Sequence, residues 1–400
     1  MEDFLPFATP DIGEEEIAEV VDTLRSPWIT TGPKTALFER EFAGYVGADY
    51  ALAVSSGTAG LHLALEASGV SEGDLVITTP YTFTATAEVV RYLGADPAFV
   101  DVDAGTMLID PAQVEHFCAE LCHYDGESLV HSESGRVVSA IMPVHVGGLP
   151  CDMETLERIA SAYGLAVIED AAHALPTDYG GTRVGSGPGL AAFSFYATKP
   201  LTTGEGGMVT TGNVDQLNRM KMMRLHGMTR DVWDRYQATT PKWYYEVAAP
   251  GFKYNMSDIA ASIGIHQLKK ADLFHRKRSY IARRYHEAFA DVEAIARPTE
   301  TANASHSWHL YIIQIEDPAI DRGRFIEEMA AEGIGTSVHF IPLHIQPYYR
   351  DRYGFREDDF PNALAAYRKA VSLPIYTRMS DTDIERVTEA VKVVLHRLSR

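Results

Sequence analysis

With 400 residues, 46% of them hydrophobic, the chain carries enough apolar material for a large core and a division into two domains. Its formal charge of −20 at pH 7 speaks against a nucleic-acid partner, since phosphate contacts need a basic surface, but a locally positive pocket for a small anion is compatible with it. No apolar stretch reaches the ~20 residues of a membrane-spanning helix, and the opening MEDFLPFATP lacks the basic and apolar regions of a secretory signal.

From Tyr50 to about Gly212 short β-rich runs alternate with helical spacing. Ala51–Ser55, Leu75–Thr79, Ala98–Asp101, Val137–Val144, Leu165–Glu169, Ala191–Phe195 and Gly207–Thr211 read as strands, with helices over Leu61–Ala67, Thr84–Tyr92, Pro111–Leu121 and Met153–Tyr163. That order predicts an α/β fold built on a mainly parallel, seven-stranded sheet covered by helices on both faces. A long helix from Ser257 to about Asp291 leads into a smaller α+β unit. Its strands are expected over Trp308–Ile315 and Gly335–Phe340, and its helices over Arg324–Glu332 and Thr382–Leu398. The expected division is a large domain over 1–265 and a small C-terminal domain over 266–400.

The residues His116–Arg136 lose any period after Cys122 and read as an extended surface connection. His116, Cys118, Cys122 and His123 invite a zinc reading, but the spacing is not that of a C-x-x-C pair, and no metal site is expected. Cys118, Cys122 and Cys151 make an odd cysteine count, which suits a reducing, cytoplasmic setting better than a disulfide framework.

The stretch Leu165–Pro200 carries the chemistry. One apolar run delivers Glu169 and Asp170 at its end, and a second delivers Lys199 just beyond its end. Carboxyl ends of strands face the ligand crevice in open α/β sheets. An acid and an amine there suit pyridoxal phosphate: Asp170 would keep the pyridine nitrogen protonated while Lys199 forms the Schiff base and then moves protons. Strand alternation sends Glu169 and Asp170 to opposite faces, and Asp170, next to the small Ala171 and Ala172, is the better candidate. His173 could meet the cofactor's phenolic oxygen.

Ser55–Ala59 closes a strand and opens a helix, so the N–H groups of Gly57, Thr58 and Ala59 form an anion site, with Ser194 offering a hydroxyl. No Gly-Lys-Ser/Thr follows, which argues against nucleoside triphosphate hydrolysis. The glycine run Gly185–Gly189 precedes a strand and reads as a plain loop. Phe83, in a turn after another strand, could stack on the ring.

These motifs in this order resemble the DegT/DnrJ-type sugar-nucleotide aminotransferases, of the pyridoxal-phosphate transferase fold type I. The likeness runs from Ser26–Pro33 through Ser55–Ala59, IEDAAHA, FSFYATK, GEGGM and Pro250–Asp258 to Trp308–Tyr311 and His339–His344. It implies Lys199 as the Schiff-base lysine, Asp170 as the pyridine-nitrogen partner, Phe83 for stacking, and Ser194 and Thr58 for the phosphate. It also implies a homodimer with shared active sites, in which Asn255 reaches the neighbour's cofactor phosphate.

Many members carry arginine where Asn255 stands. Asn255, His173 and the region 28–32 resemble the subgroup that converts a 4-keto sugar on a nucleotide carrier, with glutamate as amino donor. Trp28, Thr30, His309, His339 and His344 are candidates for the sugar-nucleotide pocket. A 3-keto sugar or a keto-cyclitol is the alternative acceptor. A sugar dehydratase of the same fold is disfavoured because related dehydratases carry histidine where Lys199 stands. The segment 116–136 is longer than the likeness leads one to expect.

Overall fold

The structure is a computed structural model that describes residues 4–229 and 245–399. Two helices, α1 (Glu14–Arg25) and α2 (Pro33–Val46), precede the first strand, β1 (Tyr50–Val54). Then come α3 (Gly57–Ala67), β2 (Leu75–Thr78), α4 (Thr84–Tyr92), β3 (Asp96–Phe99) and α5 (Pro111–Glu120). A short pair, β4 (Cys122–Tyr124) and β5 (Leu129–His131), is followed by β6 (Val137–Ile141), α6 (Met153–Tyr163) and β7 (Ala166–Asp170). After β8 (Asp178–Tyr179) and β9 (Thr182–Arg183) the unit closes with β10 (Leu190–Ser194), β11 (Gly207–Thr211) and α7 (Val214–Met223).

All seven expected strands lie in one sheet, in the order β1-β11-β10-β7-β6-β2-β3. The contacts β2–β3, β2–β6, β6–β7 and β7–β10 are parallel, and among these seven strands only β11 runs against its two neighbours, β1 and β10. Helices on both faces seal it: Leu61, Leu65 and Val209 pack in one core cluster, and Phe38, Phe42 and Phe193 in another. Local chemistry sets the boundaries. Asp152 caps α6 by accepting from Thr155 N–H at 3.2 Å, and Gly164, at φ 70°, ends it in the left-handed conformation that glycine adopts without strain.

The segment expected as a surface connection is a hairpin instead. β5 pairs antiparallel with the start of β6 and β4 pairs with β5, so two strands extend the sheet. Leu129 and Val130 are buried by this pairing, while the intervening acids stay exposed and mask the pattern in the sequence. Cys118 and Cys122 face the core, and burial pushes their thiols up to about 12 and about 11. His116 and His123 are exposed, and among the described residues no three metal-ligating side chains converge.

Helix α8 (Asp258–Ala288) runs 31 residues, its first half against α1 and α2. Ile265, Leu268 and Ala271 belong to the core of the large sheet, whereas Ile281 and Tyr285 belong to a second core. That core covers a sheet of three antiparallel strands: β12 (Ile295–Ala296), then β14 (Tyr311–Ile315) in the middle, then β15 (Ala370–Leu373). Helices Arg322–Ala331 and Asp381–Leu398 pack against it. A separate small strand, β13 (Ala304–Ser305), pairs with β8 and ties the two parts together.

The strand expected over Gly335–Phe340 is not regular. Only Ser337 pairs, exchanging two backbone bonds with Ser372. β15 takes the ladder position beside β14, and Val338, His339 and Phe340 turn toward the cavity described below.

Asp258, buried at the first turn of α8, binds the start of α2. Its carboxylate accepts from Gly32 N–H (2.8 Å), Thr35 N–H (2.9 Å) and Thr35 Oγ1 (2.7 Å), which anchors the preceding segment 26–31. Replacing it leaves those buried donors unpaired. Asp258→Ala should destabilise the fold by about 3 kcal/mol in urea unfolding, and Asp258→Asn should recover part of that. A change below about 0.5 kcal/mol would contradict this assignment.

Candidate active site

The carboxyl ends of β1, β2, β7 and β10 open into a cavity of about 560 Å³, closed on its other side by segments of the C-terminal unit. Gly57, Thr58, Phe83, Asp170, His173, Ser194, Lys199, His309 and His339 all line it. Nine candidates named from sequence therefore meet in one place.

Asp170 ends β7 between two parallel neighbours. Its N–H donates to Pro143 O at 2.9 Å and its carbonyl accepts from His145 N–H at 3.2 Å, so its backbone is fixed. The buried carboxylate accepts from Thr86 Oγ1 at 2.7 Å and from Ala172 N–H at 3.2 Å, and Thr82 braces Thr86 at 2.7 Å. Burial raises the acid's pKa, while Thr86, Ala172 N–H and the Lys199 charge act in the opposite direction. Glu169 does not line the cavity. Its carboxylate accepts a hydrogen bond from His145 Nε2 at 2.9 Å, and His145 Nδ1 accepts from Cys151 N–H at 3.1 Å.

Lys199 sits in a turn just after β10. Its N–H donates to Tyr196 O (2.9 Å), and Thr203 N–H donates back to Phe195 O (3.0 Å), which pins the loop at its base. The side chain is partly buried. Loss of water pushes the amine down to about 8, with the Asp170 charge opposing.

The phosphate-sized end is built on α3. Ser56 caps it by accepting from Ala59 N–H at 3.0 Å, leaving the first-turn N–H groups of Gly57 and Thr58 facing the cavity. A Cβ on Gly57 would stand 2.9 Å from Ser194 Cβ, so only glycine brings the backbone this close to the Ser194 hydroxyl. Ala59 lies one residue deeper, buried, and does not line the cavity.

On the open side Phe83 is 60% exposed, with the Phe340 ring 6.4 Å away. Phe340 also stacks on His173 at 5.8 Å. His173 Nδ1 accepts from Gly147 N–H at 3.1 Å, and burial together with the Lys199 charge holds the ring neutral. His339 is held by Ser372 Oγ at 2.8 Å and stacks on Phe7, and burial lowers it to about 4.

Four candidates lie elsewhere. Asn255 joins Thr31 Oγ1 at 2.6 Å and Lys253 Nζ at 2.6 Å, on a segment that bridges to Val54 at the end of β1. Trp28 donates its indole N–H to Thr31 O at 2.9 Å, and the exposed Thr30 accepts Asp258 N–H at 3.2 Å. His344 is buried away from the cavity, bonded to Glu357 O at 3.1 Å and packed on Phe360.

Sequence reasoning did not name Phe7, Leu310, Val338 or Phe340 as lining residues. The alternation expected through Gly335–Phe340 was the signal available for Val338 and Phe340. Phe7 carries none, because it reaches the site only through the bridge between Leu5 and Ile334.

The residues fit pyridoxal phosphate: an anion cradle that a Cβ would fill, a carboxylate held for a ring nitrogen, and a depressed amine within one cavity. A mainly parallel sheet bearing these groups at its strand ends defines the class as an aminotransferase of fold type I. The chain belongs to the DegT/DnrJ/EryC1/StrS aminotransferase family, whose model matches residues 10–392.

It is 48% identical to protein MJ1066 of Methanocaldococcus jannaschii over 396 residues, 98% of each chain. It is 44% identical to the spore coat polysaccharide biosynthesis protein SpsC of Bacillus subtilis, over 98% of this chain and 97% of that one. The structure of the putative sugar aminotransferase Spr1654 from Streptococcus pneumoniae in its PMP form superposes with a TM-score of 0.88. The two are 33% identical, and the match covers 98% of this chain and 100% of that one.

The depressed amine has a consequence for stability. Between pH 8 and about 10.5 the unfolded lysine holds a proton that the folded one has released, so stability from this group rises with pH through that window. In cofactor-free protein, the wild type should therefore gain on Lys199→Met by on the order of 2 kcal/mol between pH 7 and pH 10.5, measured by urea unfolding. A flat difference would show that the amine is not desolvated.

Proposed function

We propose that this sugar aminotransferase converts a nucleotide-linked 4-keto sugar to the 4-amino sugar, with glutamate as amino donor and pyridoxal 5'-phosphate as cofactor. The observation that carries the reading is Lys199, with a depressed amine, sharing a cavity with an Asp170 carboxylate fixed by Thr86. When bound, the cofactor supplies an electron sink that lets the carbon bearing the amine lose its proton.

The chain's residues divide the remaining work. Gly57 and Thr58 N–H groups and the Ser194 hydroxyl would hold the phosphate, Phe83 would pack on the ring, and Asp170 would keep the ring nitrogen protonated. His173, neutral with Nδ1 occupied, offers an Nε2–H to the ring hydroxyl. Lys199, with a pKa of about 8, can hold or release a proton near neutral pH and would take it from the carbon that bears the amine. Glutamate gives up its amine and, with one water consumed, leaves as 2-oxoglutarate; the keto sugar then takes that amine and returns the water. The order is ping-pong.

We read the motifs as resembling the aminotransferases that make UDP-4-amino-4-deoxy-L-arabinose, and that resemblance is what favours a C4 ketone as the acceptor. We further propose a homodimer working in the cytoplasm. Two aromatic side chains on the cavity wall, Phe83 and Tyr196, are 60% and 48% exposed, and a second copy would bury them. Asn255 would then reach the partner's cofactor phosphate. Trp28, Thr30 and His339 would contact the sugar nucleotide.

The test is a two-stage turnover. Holoenzyme mixed with glutamate alone should release about one 2-oxoglutarate per active site, and then consume one keto sugar from a panel of UDP-, dTDP- and GDP-linked 4-keto and 3-keto sugars and keto-cyclitols. Lys199→Ala should lower both stages by at least about 1000-fold. Normal turnover in that variant, or no 2-oxoglutarate from the wild type, would reject the assignment.

A further inference from the structure

Among the three cavity histidines, His309 alone has a ring nitrogen that is buried with no hydrogen-bond partner among the described residues. Its Nε2 lies 3.5 Å from Lys199 Nζ, at the long limit of a hydrogen bond. Its Nδ1 is buried with no hydrogen-bond partner among the described residues. A buried N–H without an acceptor costs more than a bare acceptor, so the ring carries its proton on Nε2 and directs it at the amine. An N–H pointed at nitrogen needs a lone pair there, which only the unprotonated amine has.

The surroundings hold that ring in place. Arg278, buried on α8 and without a carboxylate partner among the described residues, donates one Nη1 to Trp308 O (3.0 Å), His309 O (3.3 Å) and Ile375 O (2.8 Å). Ser307 Oγ accepts from His309 N–H at 3.3 Å and donates to His173 O at 2.6 Å. Leu310 N–H donates to Gly147 O, and Trp308 sits at φ 55°, a conformation unfavourable for a bulky residue, in the turn that delivers His309. The His173 ring packs against His309 with centroids 4.4 Å apart.

We propose that His309 is a positioning residue for Lys199: its Nε2–H holds the free amine by its lone pair and keeps it aimed into the cavity. Other charged or titratable groups around the pair are Asp170 at the end of β7, His173, His339, Arg278, and Glu205 on the cavity wall. Burial first, and the nearby cationic Lys199 and Arg278, lower the His309 pKa and keep the ring neutral, as the role requires. The inference rests on the lysine's proposed role, but it concerns a bond that exists before any cofactor binds.

The test therefore uses cofactor-free full-length protein. The pH dependence of competitive acetylation at Lys199, followed by mass spectrometry of its peptide, gives the amine's pKa, with circular dichroism checking the fold. His309→Phe keeps a buried ring but removes the N–H, and His309→Leu serves if that variant does not fold. Either should raise the amine pKa by about 0.5–1 unit, the size of one modest hydrogen bond, and slow labelling at pH 7.5 about two- to fivefold.

His309→Gln, which retains an N–H donor, should stay within about 0.3 unit of the wild type. A fall or no change in the apolar variants would overturn the proposal, because drier surroundings alone push an amine down. A Gln shift as large as the Phe shift would overturn it too. Glutamate-dependent release of 2-oxoglutarate by wild-type holoenzyme stands or falls separately.

Discussion

The structure depends on keeping a cation and an anion together where water is scarce. Asp170 and Lys199 are delivered by β7 and β10, adjacent parallel strands in direct register through Ala192 and Asp170. Neither ionised group is comfortable there: burial raises the acid and lowers the amine, and each charge relieves the other. Thr86, itself braced by Thr82, and Ala172 N–H supply the acid with hydrogen bonds, so it is fixed before any ligand arrives. A site arranged in advance costs little to reorganise when a charged ring enters.

The second unit completes the cavity, although its sheet has no share in the first. His309, His339 and Phe340 come from two separate stretches of it, and Arg278 on the joining helix α8 grips the carbonyls behind His309. The helix and the β8–β13 contact tie the two sheets, so changes in one unit reach chemistry presented by the other. Trp308 in its left-handed conformation sits at that junction, where local strain is balanced by the His306 stack at 4.1 Å and by the Ser307 bonds.

The large sheet was legible because its strands are short apolar runs separated by helices of clear period, and strand ends in such sheets mark the crevice. Alternation left only one of Glu169 and Asp170 for the ring and the small Ala171 and Ala172 favoured Asp170; the structure sends Glu169 to His145. The hairpin β4–β5 was hidden because only Cys122, Leu129 and Val130 on it are buried, with exposed acids between them. Gly335–Phe340 showed strand-like alternation, yet tertiary pairing gave the ladder to Ala370–Leu373, a run too short to announce itself. His344 and His309 look alike in sequence. Only packing distinguishes a histidine bonded to Glu357 O from one aimed at a lysine. Asn255 could gain weight only from family likeness, because one chain places it against Thr31 and Lys253.

The account's central claim is that one amine in this chain takes the cofactor covalently. Purified protein loaded with pyridoxal phosphate, reduced with borohydride and digested, should yield a single pyridoxyl-bearing peptide with the label on Lys199, at about one per chain. A label spread over several lysines, fixed on a different one, or missing altogether would contradict the claim.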